Sequence, residues 1–579
     1  MVRWAALLSG FLTIGCQSPL GPMEDQELRT AIARMATEQI PTAQSGESNA
    51  PEVLASDASP VLAELQARSA ELDRLGPQQA DGGPQLDLGP ELPGEKSQQV
   101  GLSLREAIAT SVRNNLQTQN ARLQQAVTDA QVAQAEAVFD TVFVAGTQFS
   151  RQTTPQVGFS GLPPEFFVND SQSVSMNAGL QTPLVSGGTL GLSASQMWDK
   201  NLPESDYSPS PAWYSALDLT LTQPLLRGVG SDVTEAQIRI ARNTDRIAAL
   251  QLQSTLLTLV ADVEAAYWDV VLARQVVVSS QWLVSVGIQV RDVLARRRGF
   301  DATLADYADA VATVERRQAD LIDAQRTARK SSDRLKLLMN DPGLPVGGDS
   351  VVVTSDSPVD APMACNLRLA AATAVERNPG VAQAVVQIDS ASINMTVADN
   401  GRLPQLDLTG QIGFNGLDGT LGNSWNDAVD GDFMEYLIGA AFSQPIGNRA
   451  AEANYRAARL QRSQAAIGYA TAVQKAVFEV RVALRDIAAD YRLISQRRAA
   501  RLAQAENLRA LLVLEETLAA LTPEFLFLKF RRQDGLALAH IDEIRALTDY
   551  NSAIAELQRA MGTGLERNRI DIRIEGGGS

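Results

Sequence analysis

The chain has 579 residues, a formal net charge of −17, 45% hydrophobic and 5% aromatic residues, two cysteines and one histidine. The negative charge argues against nucleic-acid binding through bulk electrostatics, and two cysteines are too few for a disulfide framework. One histidine, His540, and no GxSxG, HExxH or P-loop motif are poor material for catalysis, so neither an enzyme nor a cofactor or metal site is expected.

Residues 1–16 have the form of a secretion signal. Arg3 precedes a short apolar stretch, and the small residue Gly15 precedes Cys16. The ending at residues 12–16 resembles a bacterial lipoprotein box, which implies cleavage before Cys16 and lipidation of its thiol. The alternative is an ordinary signal peptide with an incidental cysteine. Residues 17–100, rich in Pro, Gly, Gln and Ser, are predicted to form a flexible linker.

From residue 101 onward the chain is a tandem repeat. The helical pattern at 104–115 recurs at 367–378, and the first helices are predicted over about 103–138 and 367–400. Alternating strands end at Gln-Pro pairs, residues 223–224 in the first copy and 444–445 in the second. The helical pattern then closes 115 residues after the first proline and 116 after the second. Each copy is therefore a short helix, strands, a corner and a long helical hairpin.

The strands alternate between an apolar and a polar or small face over 215–222, 405–414 and 434–442. Strands of this length can cross a bilayer at a tilt, although a soluble β-sandwich has the same alternation. The corner proline lies 109 residues after Asn115 but 67 after Asn378, so the first copy is 42 residues longer. The extra residues hold alternating runs at 173–182 and 189–198 around Gly187-Gly188, which predicts a hairpin or long loop without placing it in the sheet.

Long helices follow each corner. The predicted helix at 233–298 and its counterpart, with apolar residues from Val473 to Ile494 in steps of four and three, have a heptad seam that predicts knobs-into-holes packing. The first helix turns back at residues 299–301 and the second at 521–524. The return helices are predicted over about 304–340 and 524–562.

These features resemble the TolC-like outer-membrane efflux proteins. The residues that carry the resemblance are LSLREAIATSVRNN (102–115), LTQPLLRG (221–228), VEAAYWDVVLA (263–273), LPQLDLTG (403–410), FSQPIGNR (442–449) and DYNSAIAELQRAMGT (549–563). The resemblance implies a mainly α fold with β, in which tandem-repeat, long α-helical coiled-coil hairpins form an α-barrel and a transmembrane β-barrel is completed by trimerisation.

The same resemblance implies a function. The chain would be the outer-membrane channel of a tripartite efflux or type I secretion system, a passive duct from a periplasmic adaptor (membrane fusion) protein and an inner-membrane transporter of RND, ABC or MFS type to the exterior. It would be a homotrimer in contact with outer-membrane lipid of a Gram-negative-type bacterium, lipid-anchored, extending into the periplasm. The alternative is a structural periplasmic coiled-coil lipoprotein without a pore.

The predicted domains are a lipoprotein signal peptide (1–16), a flexible periplasmic linker (17–100), repeat 1 (101–342), an inter-repeat equatorial segment (343–366), repeat 2 (367–563) and a C-terminal tail (564–579). Three kinds of site are predicted. They are lipidation at Cys16, strand-to-helix corners at Gln223, Pro224, Gln444 and Pro445, and adaptor-docking tips at Gly299, Phe300, Asp301, Thr522, Pro523 and Phe525. The alternative for the tip residues is that they only form turns.

Overall fold

The computed structural model describes residues 34, 60–77, 88, 98–158, 165–202, 211–298, 302–364, 366–517 and 522–570. The helices are α1 (Pro60–Ala67), α2 (Ser69–Leu72), α3 (Leu104–Asn114), α4 (Leu116–Glu136), α5 (Ser231–Thr234), α6 (Ala236–Arg297), α7 (Leu304–Met339), α8 (Leu367–Arg377), α9 (Pro379–Asn400), α10 (Leu421–Asp430), α11 (Arg449–Thr517), α12 (Pro523–Met561) and α13 (Gly564–Arg567). The strands are β1 (Gln98–Leu102), β2 (Val142–Gly158), β3 (Glu165–Pro183), β4 (Thr189–Leu202), β5 (Ala212–Pro224), β6 (Ser350–Thr354), β7 (Gln405–Asp418) and β8 (Phe433–Ser443). Across these described ranges, no helix combines the length and the apolarity that a membrane span requires.

The first helix of each copy is interrupted, so that the predicted spans 103–138 and 367–400 each contain two α-helices. The break falls at Asn115 in the first copy and at Asn378 in the second. The Asn115 amide nitrogen donates to the Leu338 carbonyl at 2.9 Å, and the Asn378 amide nitrogen donates to the Ala560 carbonyl at 3.0 Å. Each side-chain oxygen also accepts from a backbone amide two residues later. Each asparagine thus caps the following helix and ties it to the end of the return helix.

The described residues form two compact units, of which the first comprises those within the ranges 1–124, 249–384 and 468–579. Its core confirms the predicted heptad seam. On α6, Val263 and Tyr267 are fully buried in a cluster that includes Leu335 and Met339 of α7. On α11 the buried positions recur every seven residues, at Val473, Val480, Ile487 and Ile494. Burial at this spacing is what knobs-into-holes packing requires.

Part of the predicted linker is folded within this first unit. Leu65 and Leu72 of α1 and α2 are buried against Leu502 and Leu508 of α11 and Leu536 of α12. The reason is hydrophobic: two leucines seven residues apart lie on one side of a short helical segment and are removed from water there. Further along, β1 pairs with β6 in parallel, from Gln98↔Ser350 to Leu102↔Thr354.

The second unit comprises residues 125–248 and 385–467 and contains a six-stranded sheet. The strand order is β2-β3-β4-β5-β7-β8, and every neighbouring pair is antiparallel. The three predicted alternating runs lie in β5, β7 and β8. The extra residues of the first copy form β3 and β4 inside this sheet, and β2 was not predicted.

Helix α10 packs closely on β5 and β7 because strand β7 carries Gly416. A Cβ added at Gly416 would lie 1.9 Å from the Ser424 carbonyl oxygen and 2.7 Å from the Ala428 nitrogen. The Ser424 and Ser215 hydroxyls share a hydrogen bond of 2.7 Å across the same contact. The absence of a side chain at Gly416 therefore sets how closely the helix approaches the sheet.

We expect Gly416→Ala to destabilise the protein by about 1–3 kcal/mol, because the added methyl group overpacks a backbone contact. Gly410→Ala is the matched control, since Gly410 lies on the same strand and nothing is within 4 Å of a Cβ added there. Thermal unfolding and protease cleavage between β7 and β8 would measure both. Equal effects of the two substitutions would contradict this account of the contact.

Candidate functional site

The six-stranded sheet has one face, here called the apolar face, that is hydrophobic across all six strands. Register pairing puts these side chains on the same side, and most are exposed: Tyr436 is 76% and Ile438 is 82% exposed. The larger members are Phe143, Phe149, Val174, Met176, Leu180, Leu190, Leu192, Trp198, Trp213, Leu217, Leu219, Leu221, Leu406, Leu408, Ile412, Phe414, Met434, Tyr436, Ile438 and Phe442. An exposed apolar surface of this extent marks an interaction with lipid or protein.

The opposite side, the polar face, carries mainly hydroxyl, amide and carboxylate groups. Its polar members include Gln148, Ser150, Ser171, Ser173, Ser175, Asn177, Ser193, Ser195, Asp218, Thr220, Thr222, Thr409, Gln411, Asn415 and Glu435. Apolar exceptions on this face include Val142 and Val144 of β2 and Leu437 of β8. A further apolar group at one end, Met197, Tyr214, Leu417 and Phe433, lines a cavity of about 520 Å³. The alternation of the two faces suits a wall between an apolar and an aqueous medium.

The apolar face ends at a row of aromatic side chains. In register, Phe149 of β2 faces Val174, which faces Trp198, which in turn faces Trp213. Two residues after Phe149 on β2, Arg151 forms an ion pair of 2.5 Å with Asp170 of β3. Aromatic girdles flanking an apolar band are typical of the two interfaces of a membrane wall.

At the same end, helix α10 covers the polar side chains that interrupt the apolar face. The Ser215 hydroxyl donates to the Gln196 carbonyl oxygen at 2.8 Å, and the Gln196 amide donates to the Tyr214 carbonyl at 2.9 Å. Both Gln196 and Ser215 are buried. Gln196 and Ser215 are thus hydrogen-bonded and shielded, as buried polar groups must be.

The two predicted corners differ in how they are held. Gln223 and Pro224 end β5, and the Gln223 side chain accepts from the Ser186 hydroxyl at 2.7 Å and donates to the Ser186 carbonyl at 3.1 Å. The β3–β4 turn approaches so closely that a Cβ at Gly187, whose φ is +93°, would lie 2.1 Å from the Gly228 carbonyl oxygen. Gln444 and Pro445, by contrast, are exposed just beyond β8.

Of the six predicted tip residues, the structure describes Thr522, Pro523 and Phe525. Thr522 is the N-cap of α12 and accepts from the Phe525 amide at 3.3 Å, with Pro523 in the first turn. Phe525 is half-buried beside a cluster formed by Val290, Leu294, Ala302, Ala310, Leu526 and Phe530. Phe525 is therefore partly packed between the two hairpins.

Behind this cluster lies a buried arginine that sequence reasoning did not single out. Arg317 of α7 is 2% exposed and pairs with Asp534 of α12 at 2.8 Å. It also donates to the Leu283 carbonyl of α6 at 2.8 Å and to the Phe530 carbonyl at 3.2 Å. One guanidinium thus connects three helices close to the tips, and its five donors in a rigid fork suit it to that role.

A group of carboxylates, here called the carboxylate cluster, joins α6, α11 and α12. Burial and the neighbouring carboxylates of Asp549 and Asp486 raise the pKa of Asp490 to about 6. Burial also raises the pKa of Asp549, to which Asp269 adds. Among the residues that the structure describes, no group of three or more potential ligands is arranged to hold a metal ion.

We expect Asp490→Asn to stabilise the protein at pH 7 by about 1 kcal/mol, since the partly solvated carboxylate is there charged among like charges. The folded carboxyl keeps its proton up to about pH 6, whereas the ordinary value is 3.8. The protonated Asp490 carboxyl therefore contributes to the free energy of unfolding below pH 4, and this contribution is lost as the pH rises to 6. Thermal unfolding measured from pH 4 to 7 should show that stability falls less steeply with pH in the variant than in the wild type. An equally steep fall in both would contradict the raised pKa of Asp490. Asp309→Asn, at an exposed position of α7, is the control.

The remaining predicted residues lie outside the described residues. They are Cys16 and the first tip, Gly299, Phe300 and Asp301. Close to the second tip, an ion pair of 2.6 Å between Lys529 of α12 and Glu515 of α11 connects the two helices of the second hairpin. The cationic residue after the second tip is thus engaged within the hairpin.

Comparisons with known proteins agree on one fold. The sequence profile of the family described as outer membrane efflux protein matches residues 371–515, whereas no curated protein sequence matches the chain. The Campylobacter jejuni CmeC outer membrane channel is similar over 83% of this chain and 92% of its own, with a TM-score of 0.58 and 15% identity. CusC is similar over 84% of this chain and 98% of its own, with a TM-score of 0.57 and 16% identity. The open state of the Neisseria gonorrhoeae MtrE outer membrane channel is similar over 80% of this chain and 89% of its own, with a TM-score of 0.54 and 18% identity.

Proposed function

We propose that this chain, a member of the TolC-like outer-membrane efflux protein family, is the outer-membrane channel of a tripartite efflux or type I secretion system. It acts as a passive duct rather than as a catalyst. The observation that carries this proposal is the sheet with one apolar and one polar face, in the same chain as two long helical hairpins. Such a wall separates lipid from an aqueous path, and the hairpins supply a coiled-coil extension.

The sheet has the dimensions that a membrane wall needs. Its strands are 11–19 residues long, whereas a tilted strand crosses a bilayer in about 9–11 residues. In a soluble sandwich the apolar face would be covered by a second sheet. Here its central side chains stay exposed, which favours lipid contact. Three copies closing their sheets into a barrel would satisfy the free strand edges.

The tips are proposed to dock a periplasmic adaptor protein, itself bound to an inner-membrane transporter. The residues assigned to this contact are Gly299, Phe300, Asp301, Thr522, Pro523 and Phe525. Support comes from the capped, packed start of α12, which holds Phe525 in a fixed position beside the apolar tip cluster. A preorganised surface binds at a lower entropic cost than a mobile one.

Lipidation of Cys16 is proposed to add an anchor in the outer membrane. The support is the sequence LTIGC at residues 12–16, which follows an apolar stretch. Two or more acyl chains on one terminus give stable membrane binding where a single chain is marginal. Radiolabelled palmitate should be incorporated into the wild type and not into Cys16→Ser, with Cys365→Ser as the control. Equal labelling of Cys16→Ser would contradict this assignment.

Membrane fractionation of cells that produce the full chain tests the proposed function. The expected result is a trimer that resists SDS at low temperature, dissociates on heating and is recovered with the outer membrane. Recovery as a monomer in the periplasmic fraction would contradict the channel and favour a structural coiled-coil lipoprotein.

A further inference from the structure

The two copies contribute unequally to the sheet. Copy one supplies β2, β3, β4 and β5, whereas copy two supplies β7 and β8. The difference is the β3–β4 hairpin, which lies between β2 and β5. Its ladders are continuous, from Val142↔Gln181 to Gly158↔Glu165 on one side and from Thr189↔Thr222 to Asp199↔Ala212 on the other. The hairpin is thus an integral part of the sheet.

The hairpin also has the two-faced character of its neighbours. Its apolar side continues the apolar face through Met176 and Leu180 on β3 and Leu192 on β4. Its polar side carries serines, among them Ser173, whose hydroxyl lies 2.7 Å from that of Ser150 on β2. A loop lying over the sheet would not need to match both faces in register. The hairpin therefore has the composition of wall strands.

The two edges of the sheet fit each other in direction and in face. Since each of the six described strands is antiparallel to its neighbour, the edge strands β2 and β8 also run antiparallel. Phe143 and Phe149 on β2 lie on the same side of the sheet as Ile438 and Phe442 on β8, and all four are exposed. Long apolar edges pair readily with another chain. The fitting occupant of each edge is therefore the opposite edge of a second copy.

We propose that the barrel of the trimer contains eighteen strands, six from each copy, and that the β3–β4 hairpin widens it. This inference rests on the proposed function, which supplies the trimer. With strands about 4.8 Å apart and tilted by about 40°, eighteen strands give a barrel about 36 Å across, whereas twelve give about 24 Å. Barrels of 16–18 strands enclose an aqueous channel, so the outer segment of the duct would be wider than that of a twelve-stranded barrel.

Electron cryo-microscopy of the full chain in nanodiscs counts the strands directly. The expected map shows eighteen strands, with β8 of each copy beside β2 of the next. A conducting trimer with twelve wall strands and the hairpin outside the wall would overturn the inference and leave the channel function intact. A non-conducting monomer would overturn the proposed function, and this inference with it.

A deletion variant gives a second measurement. Replacing residues 159–210 with a short glycine-containing turn leaves β2 and β5, which run antiparallel, to pair directly. Neutral polyethylene glycols added from the outer side of a planar bilayer should enter the wild-type mouth at radii about one and a half times those admitted by the variant. Equal cut-offs in two conducting trimers would overturn the widening. If the variant does not assemble, the strand count of the wild type still decides.

Discussion

Replacing Leu219 with arginine is expected to abolish most of the assembled trimer, whereas the same change at Thr220 is expected to be tolerated. Leu219 lies on the apolar face between Leu192 and Ile412, and Thr220 lies next to it on the polar face. Arginine on the lipid side near the middle of a bilayer costs about 2–4 kcal/mol per copy. On the polar face the same side chain stays in water. The ratio of trimer to monomer on unheated SDS gels would measure the difference.

The Leu219→Arg and Thr220→Arg pair is closely matched, because both variants add the same charge one residue apart on one strand. Leu219→Ala is a further control, since it removes packing without adding charge. Equal losses for both arginine variants would mean that both faces are buried in protein. A loss only at Thr220 would mean that the two faces are exchanged.

Replacing Arg317 with methionine is expected to destabilise the packing of the helices near the tips by about 3 kcal/mol. The substitution removes the ion pair with Asp534 and leaves the carbonyls of Leu283 and Phe530 without this donor. It also removes the stacking of the guanidinium on the Phe530 ring, 4.9 Å from its centroid. Hydrogen exchange of the α6, α7 and α12 amides close to the tips would increase most.

Arg316→Met is the matched control, because Arg316 is 65% exposed and lies 3.9 Å from the same carboxylate. An exposed pair of this kind contributes about 0–1 kcal/mol. Combining Arg317→Met with Asp534→Leu should restore part of the loss, since the unpaired carboxylate is then absent. Arg317→Met without a local effect on exchange would contradict the role of the buried guanidinium.

The sequence predicts the long helices and several strands well because their signals are periodic and local. Val473, Val480, Ile487 and Ile494 repeat every seven residues, and each is buried. The likeness to the solved channels confirms the predicted fold, and the profile of outer membrane efflux proteins matches residues 371–515. Strand β2 was missed because Val142, Phe143 and Val144 are consecutive apolar residues, which hides the alternation.

The rest depends on contacts between distant residues. No local pattern shows that β3 and β4 lie between β2 and β5, since the pairing is decided by register along whole strands. Position 317 lies on the buried seam of α7, in step with Ala310, Val314 and Ala324. The charge of Arg317 argues against burial there, and its partner Asp534 lies more than two hundred residues later. Asn115 interrupts a helical pattern that continues on both sides. Its side-chain oxygen caps the next helix locally, whereas its side-chain nitrogen donates to the Leu338 carbonyl, which no local pattern indicates.

Single-channel recording of the purified protein in a planar bilayer, with its oligomeric mass measured in the same detergent, shows whether the chain forms a conducting trimer. We expect a trimer of the 62.1 kDa chain that gives discrete, long-lived conductance steps. Leu219→Arg should insert rarely, and Thr220→Arg should insert at the wild-type frequency with an altered ion selectivity. A monomer or dimer that never conducts would contradict the channel.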